Sequence, residues 1–266
     1  MSEALKSKIE VPVMAHQFAA GKKPEYLFWV GCAGAFDNRY MKVAKAFASI
    51  LNHLGTDYAV LGKEESCTGD PARRAGNEML YQMQAMTNIE VFKMYEIKKI
   101  ITICPHCYNI LKNEYPDLGG EYEVINYLEF LETMLKDGKL KVDGSKLTNK
   151  KVTYHDPCYL GRANDIYESP RYIIKKLGLE LAEMHRNKSF ALCCGAGGAQ
   201  MFKDAEKGEK EIFIERTEEA LETKAPVIAT ACPFCMTMMT DGLKYKNKEE
   251  EIENLDIAEM IAEAIV

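Results

Sequence analysis

Nine cysteines are the side chains of this 266-residue chain best suited to binding metal or exchanging electrons. They form one group of four and one of five: Cys32, Cys67, Cys104 and Cys107, then Cys158, Cys193, Cys194, Cys232 and Cys235. The second group follows the first by 126 residues at its opening positions and by 128 at its closing pair. Because the flanking sequences match as well, this internal repeat predicts two similar halves.

Each group ends in a C-P-x-C motif, "CPHC" at 104–107 and "CPFC" at 232–235. In both motifs an apolar run predicted as a strand ends at the first cysteine, and the proline is placed to open a helix. Thiols at a helix N-terminus favour the thiolate, since free backbone amides and the helix dipole stabilise negative charge there. By number alone, four such sulfurs suit a tetrahedral zinc or an iron–sulfur cluster equally well.

The second group has one cysteine more than a closed zinc site uses. Four ligands complete a structural zinc site, so Cys193 and Cys194 together exceed its needs, whereas a polynuclear cluster could employ the extra thiolate. In the first half Thr68 stands where the second half has Cys194. We therefore expect the two sites to differ.

Glycines and two polar residues beside the second group are further candidates. We expect the backbone N–H groups of Gly195, Gly197 and Gly198 to approach cluster sulfur, where such hydrogen bonds tune the potential; alternatively, these glycines only form a turn. His155 and Asp156 precede the first cysteine of this half. They are candidate catalytic residues that could donate a proton to a sulfur leaving group. Alternatively, Asp156 caps the following turn and His155 packs beneath the loop.

Strands and helices alternate between the cysteines. In the first half "EYLFWV", "DYAVLG" and "KKIITI" predict three buried strands, with helices over 40–54 and through "ARRAGNEMLYQMQAMTNIEVF". In the second half Ser169 and Pro170 are placed as N-cap and first residue of a helix. This alternation predicts an α/β fold of two Rossmann-like lobes, each a mostly parallel sheet flanked by helices. The cysteine sites then lie at the carboxyl ends of strands, where open α/β sheets build their sites.

The predicted domains are an N-terminal extension over 1–25, a first lobe over 26–140 with four cysteines, and a second lobe over 151–266 with five. The polar, glycine-containing stretch "KDGKLKVDGSKLTNKK" separates the two lobes.

Composition excludes several classes of protein. The chain has 34 basic and 40 acidic residues and a net charge of −6, so neither nucleic acid nor an anionic membrane is an expected partner. The N-terminus does not resemble a signal peptide, and no apolar stretch reaches the ~18 residues of a membrane span. We expect a cytoplasmic protein, attached to a membrane at most peripherally through a partner. An odd cysteine count argues against a secreted disulfide framework.

The order and spacing of these cysteines resemble the CCG-domain (cysteine-rich domain) family. Its pattern is a cysteine, then a cysteine pair, then CxxC. The gaps here are 34 residues after Cys32 and after Cys158, 35 after Thr68 and 37 after Cys194. The family includes the B-type and D-type subunits of heterodisulfide reductase and the iron–sulfur subunits of lactate and glycolate oxidation systems. The resemblance covers nearly the whole chain, from about Tyr26 onward.

The resemblance implies an oxidoreductase subunit that transfers electrons to or from a disulfide, a quinone or a 2-hydroxy-acid-oxidising partner. It assigns a non-cubane [4Fe–4S] cluster to the five cysteines of the second lobe. The first lobe lacks one ligand of the pattern, at Thr68, so a [4Fe–4S] cubane or zinc is expected there. The ferredoxin-type CxxCxxCxxxCP run is absent from the sequence. We therefore expect a redox partner subunit that carries ferredoxin-type clusters or flavin.

Two other functions remain open from the sequence. The chain could be a zinc-stapled interaction module without turnover, with one zinc ion in each half. It could instead be a metal-free thiol–disulfide protein that uses the two CxxC motifs as redox pairs. The latter leaves unexplained why Cys32 and Cys67 recur as Cys158 and Cys193.

Overall fold

A computed structural model describes residues 9–204 and 207–266 of the chain. Residues 1–8, part of the predicted N-terminal extension, lie outside this range. Two compact units divide the chain, Met1–Phe130 and Leu131–Val266, and each contains one cysteine group. The finer boundaries at 26–140 and 151–266 stay predictions. Within the described range no helix has the length and apolar character needed to cross a membrane.

The first unit is built on a four-stranded parallel sheet in the order β2-β1-β3-β4. Its strands are β1 (Tyr26–Trp29), β2 (Tyr58–Ala59), β3 (Lys99–Thr102) and β4 (Glu123–Asn126). The helices that accompany them are α1 (Met14–Ala19), α2 (Gly31–Phe36), α3 (Tyr40–His53), α4 (Asp70–Arg74), α5 (Glu78–Met94) and α6 (Pro105–Asn113). Helix α7 (Tyr127–Lys136) begins at the end of the first unit and continues into the second.

Burial on both faces explains the consecutive apolar residues in the central strands of this sheet. Leu27, Phe28 and Trp29 of β1 are at most 1% exposed, and Ile100 and Ile101 of β3 are fully buried. Strands of a parallel sheet that is covered by helices lack the alternation of half-exposed strands. Each large apolar side chain contributes about 1.5–3 kcal/mol on leaving water. This core fixes the sheet and, with it, the loops at its carboxyl end.

The second unit repeats the first strand for strand, with the parallel order β6-β5-β7-β8. Its strands are β5 (Lys151–Tyr154), β6 (Glu180–Leu181), β7 (Val227–Thr230) and β8 (Glu253–Asp256). Its helices are α8 (Gly161–Asn164), α9 (Glu168–Lys176), α10 (Ile212–Glu222), α11 (Pro233–Tyr245) and α12 (Ile257–Ala264). The predicted α/β fold of two Rossmann-like lobes is confirmed.

The two CxxC motifs lie where the sequence predicts them. Cys104 is the N-cap of α6, and Pro105 is the first residue of that helix. Cys232 and Pro233 hold the same places at the start of α11. Proline fits the first helical position because its missing N–H would have no partner inside the helix there.

The sheet of each unit has a fourth strand that the sequence analysis does not predict. The segments are "EVIN" in β4 and "ENLD" in β8, and each pairs with one neighbour only, β3 or β7. An edge strand is less covered than a central one, so polar side chains such as Glu123 and Glu253 are tolerated. The resulting pattern lacks the apolar run that marks a buried strand.

Two helix predictions are wrong in their boundaries. The helix predicted over "ARRAGNEMLYQMQAMTNIEVF" is split into α4 and α5, because Gly76 adopts a positive φ of 86° and the Asn77 side chain caps α5 through Leu80 N. Helix α9 begins at Glu168, so Ser169 is not its N-cap. The Ser169 hydroxyl instead donates to Glu132 Oε2 at 2.6 Å.

Close packing of α10 against α11 gives a stability prediction. A Cβ at Gly242 of α11 would overlap the Thr217 side chain of α10. We expect Gly242→Ala to lower the free energy of unfolding by about 1–3 kcal/mol, because overpacking forces neighbouring side chains out of place. Chemical denaturation measures this change. Gly208→Ala is the control, since nothing lies within 4 Å of its Cβ position. Equal stability of the two variants would contradict the close contact between Gly242 and Thr217.

Candidate metal centres

The first group of thiols is carried by the segments that follow β1, β2 and β3. Cys32 lies in the first turn of α2, and Cys67 follows the 3-10 turn Gly62–Glu64. Cys104 caps α6, and Cys107 lies in the first turn of that helix. Cys104 and Cys107 are buried whereas Cys32 and Cys67 are half-buried. Solvent therefore reaches part of the group.

The second group has the same placement with one more sulfur. Cys158 follows β5, and Cys193 and Cys194 lie in the long loop after β6. Cys232 caps α11, and Cys235 lies in its first turn. Cys194, Cys232 and Cys235 are at most 3% exposed. All nine cysteines of the chain carry reduced thiols.

Contacts between thiols link neighbouring cysteines within each group. In the first unit they link Cys32 to Cys67 and Cys104 to Cys107. In the second they link Cys158 to Cys193, Cys193 to Cys194, Cys194 to Cys235 and Cys235 to Cys232. The five thiols of the second unit therefore form one connected set. The structure brings each predicted group together, while the role of these cysteines as metal ligands stays a prediction.

The second cysteine of each group has a lowered pKa. A hydrogen bond from Cys32 lowers the pKa of Cys67 to about 7, and contacts from neighbouring thiols lower the pKa of Cys193. A glycine amide adds to this in both units: Gly69 N lies 3.4 Å from Cys67 Sγ, and Gly195 N lies 3.3 Å from Cys193 Sγ. Their φ values of 89° and 91° favour glycine. The sequence analysis names Gly195 but misses Gly69, although "CTG" aligns with "CCG".

Gly197 and Gly198 hold a different place from Gly195. Nothing lies within 4 Å of a Cβ built at either position. The Gly197 carbonyl accepts a hydrogen bond from Gln200 N at 3.2 Å, which forms a turn ahead of a short 3-10 helix, Gln200–Phe202. This geometry agrees with the alternative that these two glycines shape a turn. An approach of their amides to a cluster stays a prediction.

Five of the remaining thiols hold their protons tightly. Hydrogen bonds to a neighbouring sulfur, followed by burial, raise the pKa values of Cys32, Cys107, Cys158 and Cys235, and the Cys193 contact raises that of Cys194. Several thiolates cannot be buried together without a compensating cation. A metal supplies that charge and displaces the protons. The donor set of soft sulfurs therefore fits zinc or an iron–sulfur cluster.

Thr68 occupies the place that Cys194 has in the second unit. Its hydroxyl lies 4.0 Å from Cys107 Sγ, and the Thr68 residue is 2% exposed. Cys194 contacts Cys235, the counterpart of Cys107. The first group therefore presents a hydroxyl where the second presents a thiol.

His155 is buried against the second group. One of its ring nitrogens lies within 4.8 Å of the sulfurs of Cys194 and Cys235. Its Nδ1 accepts a hydrogen bond from Nε of Arg216 at 3.0 Å. Burial and the positive charge of Arg216 lower the pKa of His155 to about 3, so the ring is neutral. The sequence analysis misses Arg216, because nothing in "IFIERTEEALE" marks this arginine as the one that faces inward.

Trp29 holds the position of His155 in the first unit, 126 residues earlier. It is fully buried, and its Nε1 makes no hydrogen bond of normal geometry within the described residues. The Cys104 contact and burial raise the pKa of Cys107, and the nearby Trp29 N–H acts against that rise. Both units therefore place a buried ring nitrogen beside the last cysteine of the group.

Asp156 belongs to the support of the cysteine-bearing loop. Its two carboxylate oxygens accept from Arg171 at 2.8 and 2.9 Å, and one of them also accepts from Lys188 N at 2.8 Å. A second arginine, Arg162, donates to the Ala191 carbonyl at 2.6 Å, two residues before Cys193. The capping contact of Asp156 is therefore made to the distant loop rather than to the turn that follows it.

The first unit links its loops through Glu65, two residues before Cys67. This carboxylate accepts hydrogen bonds from the backbone amides of Val30 and Gly31, which precede Cys32. Burial raises the pKa of Glu65 to about 7, although the two amides oppose the rise.

The buried Asp156–Arg171 pair gives a prediction that distinguishes a structural role of Asp156 from a chemical one. The two side chains are 3% and 9% exposed. We expect Asp156→Asn to lower the free energy of unfolding by about 1–3 kcal/mol, since it removes one of the two carboxylates that pair with the buried Arg171 and leaves only Glu183. Denaturant titration measures the loss. Glu96→Gln, in the exposed Lys23–Glu96 pair, is the control and should leave stability unchanged. Full stability of Asp156→Asn with impaired redox behaviour would assign Asp156 to the chemistry instead.

Comparison with known proteins identifies the family. The cysteine-rich domain, CCG, matches twice, at residues 26–112 and 152–240. The "Probable iron-sulfur-binding oxidoreductase FadF" of Bacillus subtilis is 44% identical over 258 residues, which are 97% of this chain and 36% of that protein. The "EtfAB:quinone oxidoreductase" of Syntrophomonas wolfei is 45% identical over 251 residues, 92% of this chain and 35% of that protein.

A methanogen protein is also similar. The D-type subunit of the dihydromethanophenazine:CoB--CoM heterodisulfide reductase of Methanosarcina barkeri is 34% identical over 256 residues, 91% of this chain and 59% of that protein. The chain thus spans between about a third and three fifths of the length of these relatives. Two matches to the domain, together covering most of both units, show that the chain belongs to the CCG cysteine-rich domain family.

Proposed function

We propose that the two groups of cysteines hold metal centres through which this chain transfers electrons as the iron–sulfur component of an oxidoreductase. The observation that carries the proposal is the connected set of five buried or half-buried thiols in the second unit. This set has more sulfur donors than a zinc ion binds. Relatives that are named as iron–sulfur oxidoreductases support the same class of function.

In the second unit, Cys158, Cys193, Cys194, Cys232 and Cys235 would hold a non-cubane [4Fe–4S] cluster. Such a cluster supplies one-electron transfer at a potential set by charge, burial and hydrogen bonds to sulfur. The Gly195 amide, which donates to Cys193 Sγ, keeps negative charge at that sulfur. The ion pair of Asp156 with Arg171 and the Arg162 contact hold the cysteine loop in place. Asp156 would then act as support, not as an acid.

In the first unit, Cys32, Cys67, Cys104 and Cys107 would hold a [4Fe–4S] cubane or a zinc ion. Four sulfurs satisfy either centre. Thr68 lies at the place of the fifth sulfur, and its hydroxyl is a weak ligand for soft metals. The same non-cubane cluster is therefore not expected here. A site of this kind would relay electrons if it holds iron, or stabilise the fold if it holds zinc.

The substrate class and partner are inferred from chemistry and from the relatives. A quinone and a heterodisulfide appear in the relatives' names, and a 2-hydroxy-acid-oxidising partner is the third candidate. Because a metal–thiolate centre handles electrons singly or in small numbers, it needs a donor or acceptor nearby. We infer a redox partner that carries ferredoxin-type clusters or flavin. The half-exposed Cys32, Cys67, Cys158 and Cys193 mark the side of each group that such a partner or substrate could reach.

The competing function is a zinc-stapled module without turnover. The metal content of the protein distinguishes it from the proposed redox function. On anaerobically purified full chain we expect roughly four to eight iron atoms per chain with matching acid-labile sulfide. Elemental analysis and EPR on the same sample measure this. One or two zinc ions without sulfide, even after anaerobic reconstitution, would contradict the redox proposal.

Cys194→Thr tests the second centre, because it gives the second unit the arrangement of the first. We expect the EPR signature of the second-unit cluster to disappear while first-unit metal remains. Cys104→Ser is the matched control and should affect only the first-unit metal. Unchanged spectra in Cys194→Thr would show that Cys194 is not a ligand.

A further inference from the structure

One position of the repeat carries a buried ring nitrogen in both units. Trp29 and His155 each precede the first cysteine of their unit by three residues, and they are 0% and 1% exposed. In the part of the chain that the structure describes, Trp29 Nε1 and His155 Nε2 make no hydrogen bond of normal geometry. A buried polar atom without a partner is destabilising, so an acceptor beside each ring is implied.

Cysteine sulfur is the candidate acceptor that lies beside both rings. A Cβ at Gly31 would lie 3.3 Å from Cys107 Sγ and 3.9 Å from Trp29 Nε1, so the indole N–H and this sulfur flank the same glycine. In the second unit a ring nitrogen of His155 lies within 4.8 Å of the sulfurs of Cys194 and Cys235. Cys107 and Cys235 are equivalent positions of the repeat.

Arg216 determines which nitrogen of His155 carries the proton. This arginine is fully buried; its Nε donates to His155 Nδ1 at 3.0 Å, and its Nη1 donates to Glu219 Oε2 at 2.9 Å. A guanidinium only donates hydrogen bonds, so Nδ1 must present its lone pair. The neutral ring then carries its hydrogen on Nε2.

A histidine in this state is a donor and not a metal ligand. A ligating histidine binds through a lone pair, and its other nitrogen normally donates to a carboxylate or carbonyl. At His155 the arrangement is reversed, because the other nitrogen accepts from Arg216. In the first unit tryptophan fills the position, and an indole nitrogen can only donate.

We propose that this position supplies an N–H···S hydrogen bond to the metal centre of each unit, from Trp29 in the first and from His155 Nε2 in the second. Arg216 is the positioning residue that fixes the histidine tautomer. This hydrogen-bond proposal rests on the proposed function in one respect, which is that the acceptor sulfurs are ligands of a bound cluster. Hydrogen bonds to cluster sulfur stabilise the more negative reduced state, so they raise the reduction potential.

The tautomer is tested on the metal-free full chain, independently of any cluster. Long-range ¹H–¹⁵N correlation separates the two neutral tautomers, and the chain has only five histidines. The His155 signals are those that disappear in His155→Gln. We expect the hydrogen on Nε2. A hydrogen on Nδ1 would overturn the proposal for the second unit.

The effect on the centres is tested by EPR-monitored redox titration of the reconstituted protein. We expect His155→Phe to shift the potential of the second-unit centre to a more negative value with iron and sulfide content unchanged. His155→Gln retains a side-chain N–H and should show a smaller shift. Trp29→Phe should shift the first-unit centre alone if that centre holds iron. Loss of second-unit iron in folded His155→Phe would make His155 a ligand, and an unchanged potential would also overturn the proposal.

Failure of this inference is distinguishable from failure of the proposed function. A chain that binds only zinc would contradict the redox function, yet the histidine tautomer would still be measured on the metal-free protein. In that case His155→Phe should bind as much zinc as the wild type, since a donor does not count among the zinc ligands. Loss of zinc in the folded variant would make His155 a ligand.

Discussion

Crowding of buried thiols at one end of a parallel sheet is the constraint on which the rest of each unit depends. Parallel strands deliver their carboxyl ends to one edge, and the loops after them bring four or five sulfurs together. Burial and mutual contact raise the pKa values of most of these thiols, as at Cys107 and Cys235. Only a bound cation removes the conflict between burial and ionisation, because it replaces several protons at once. Metal binding and the final arrangement of these loops are therefore linked.

Duplication has kept the backbone of the site and changed the side chains around it. Gly69 and Gly195 adopt the same left-handed conformation and direct an amide at the second cysteine of each unit. Close by, the first unit has His106 hydrogen-bonded to Asp70 at 2.9 Å. The second unit has Phe234 in place of that histidine. The left-handed glycine places its amide at a sulfur in both units, whereas the neighbouring side chain is polar in one unit and apolar in the other. Two centres of related shape can thus have different properties.

Local patterns explain which features the sequence predicts and which it does not. The parallel fold, the grouping of cysteines and the helix starts at Pro105 and Pro233 follow from an apolar strand, a proline and a repeat, all within a few residues. The edge strands β4 and β8 have no such pattern, because each pairs on one side only and tolerates polar side chains. Arg216 and its contact with His155 are set by tertiary packing, since the two residues are 61 positions apart. No local rule marks a long-range contact of this kind.

Each unit uses a carboxylate to link its first cysteine-bearing loop to its second, but the carboxylate comes from a different loop in each unit. In the first unit Glu65 lies on the second loop, and its carboxylate accepts hydrogen bonds from the backbone amides of Val30 and Gly31 on the first loop. In the second unit Asp156 comes from the first loop and accepts Lys188 N on the second. A carboxylate joins the same two loops in both cases, although it comes from the second loop in one unit and from the first loop in the other. Ordering irregular backbone costs about 1–2 kcal/mol per residue. Under the proposed function, the sulfurs must be in place before a metal binds. Each unit then needs a link between these two loops, whichever residue makes it.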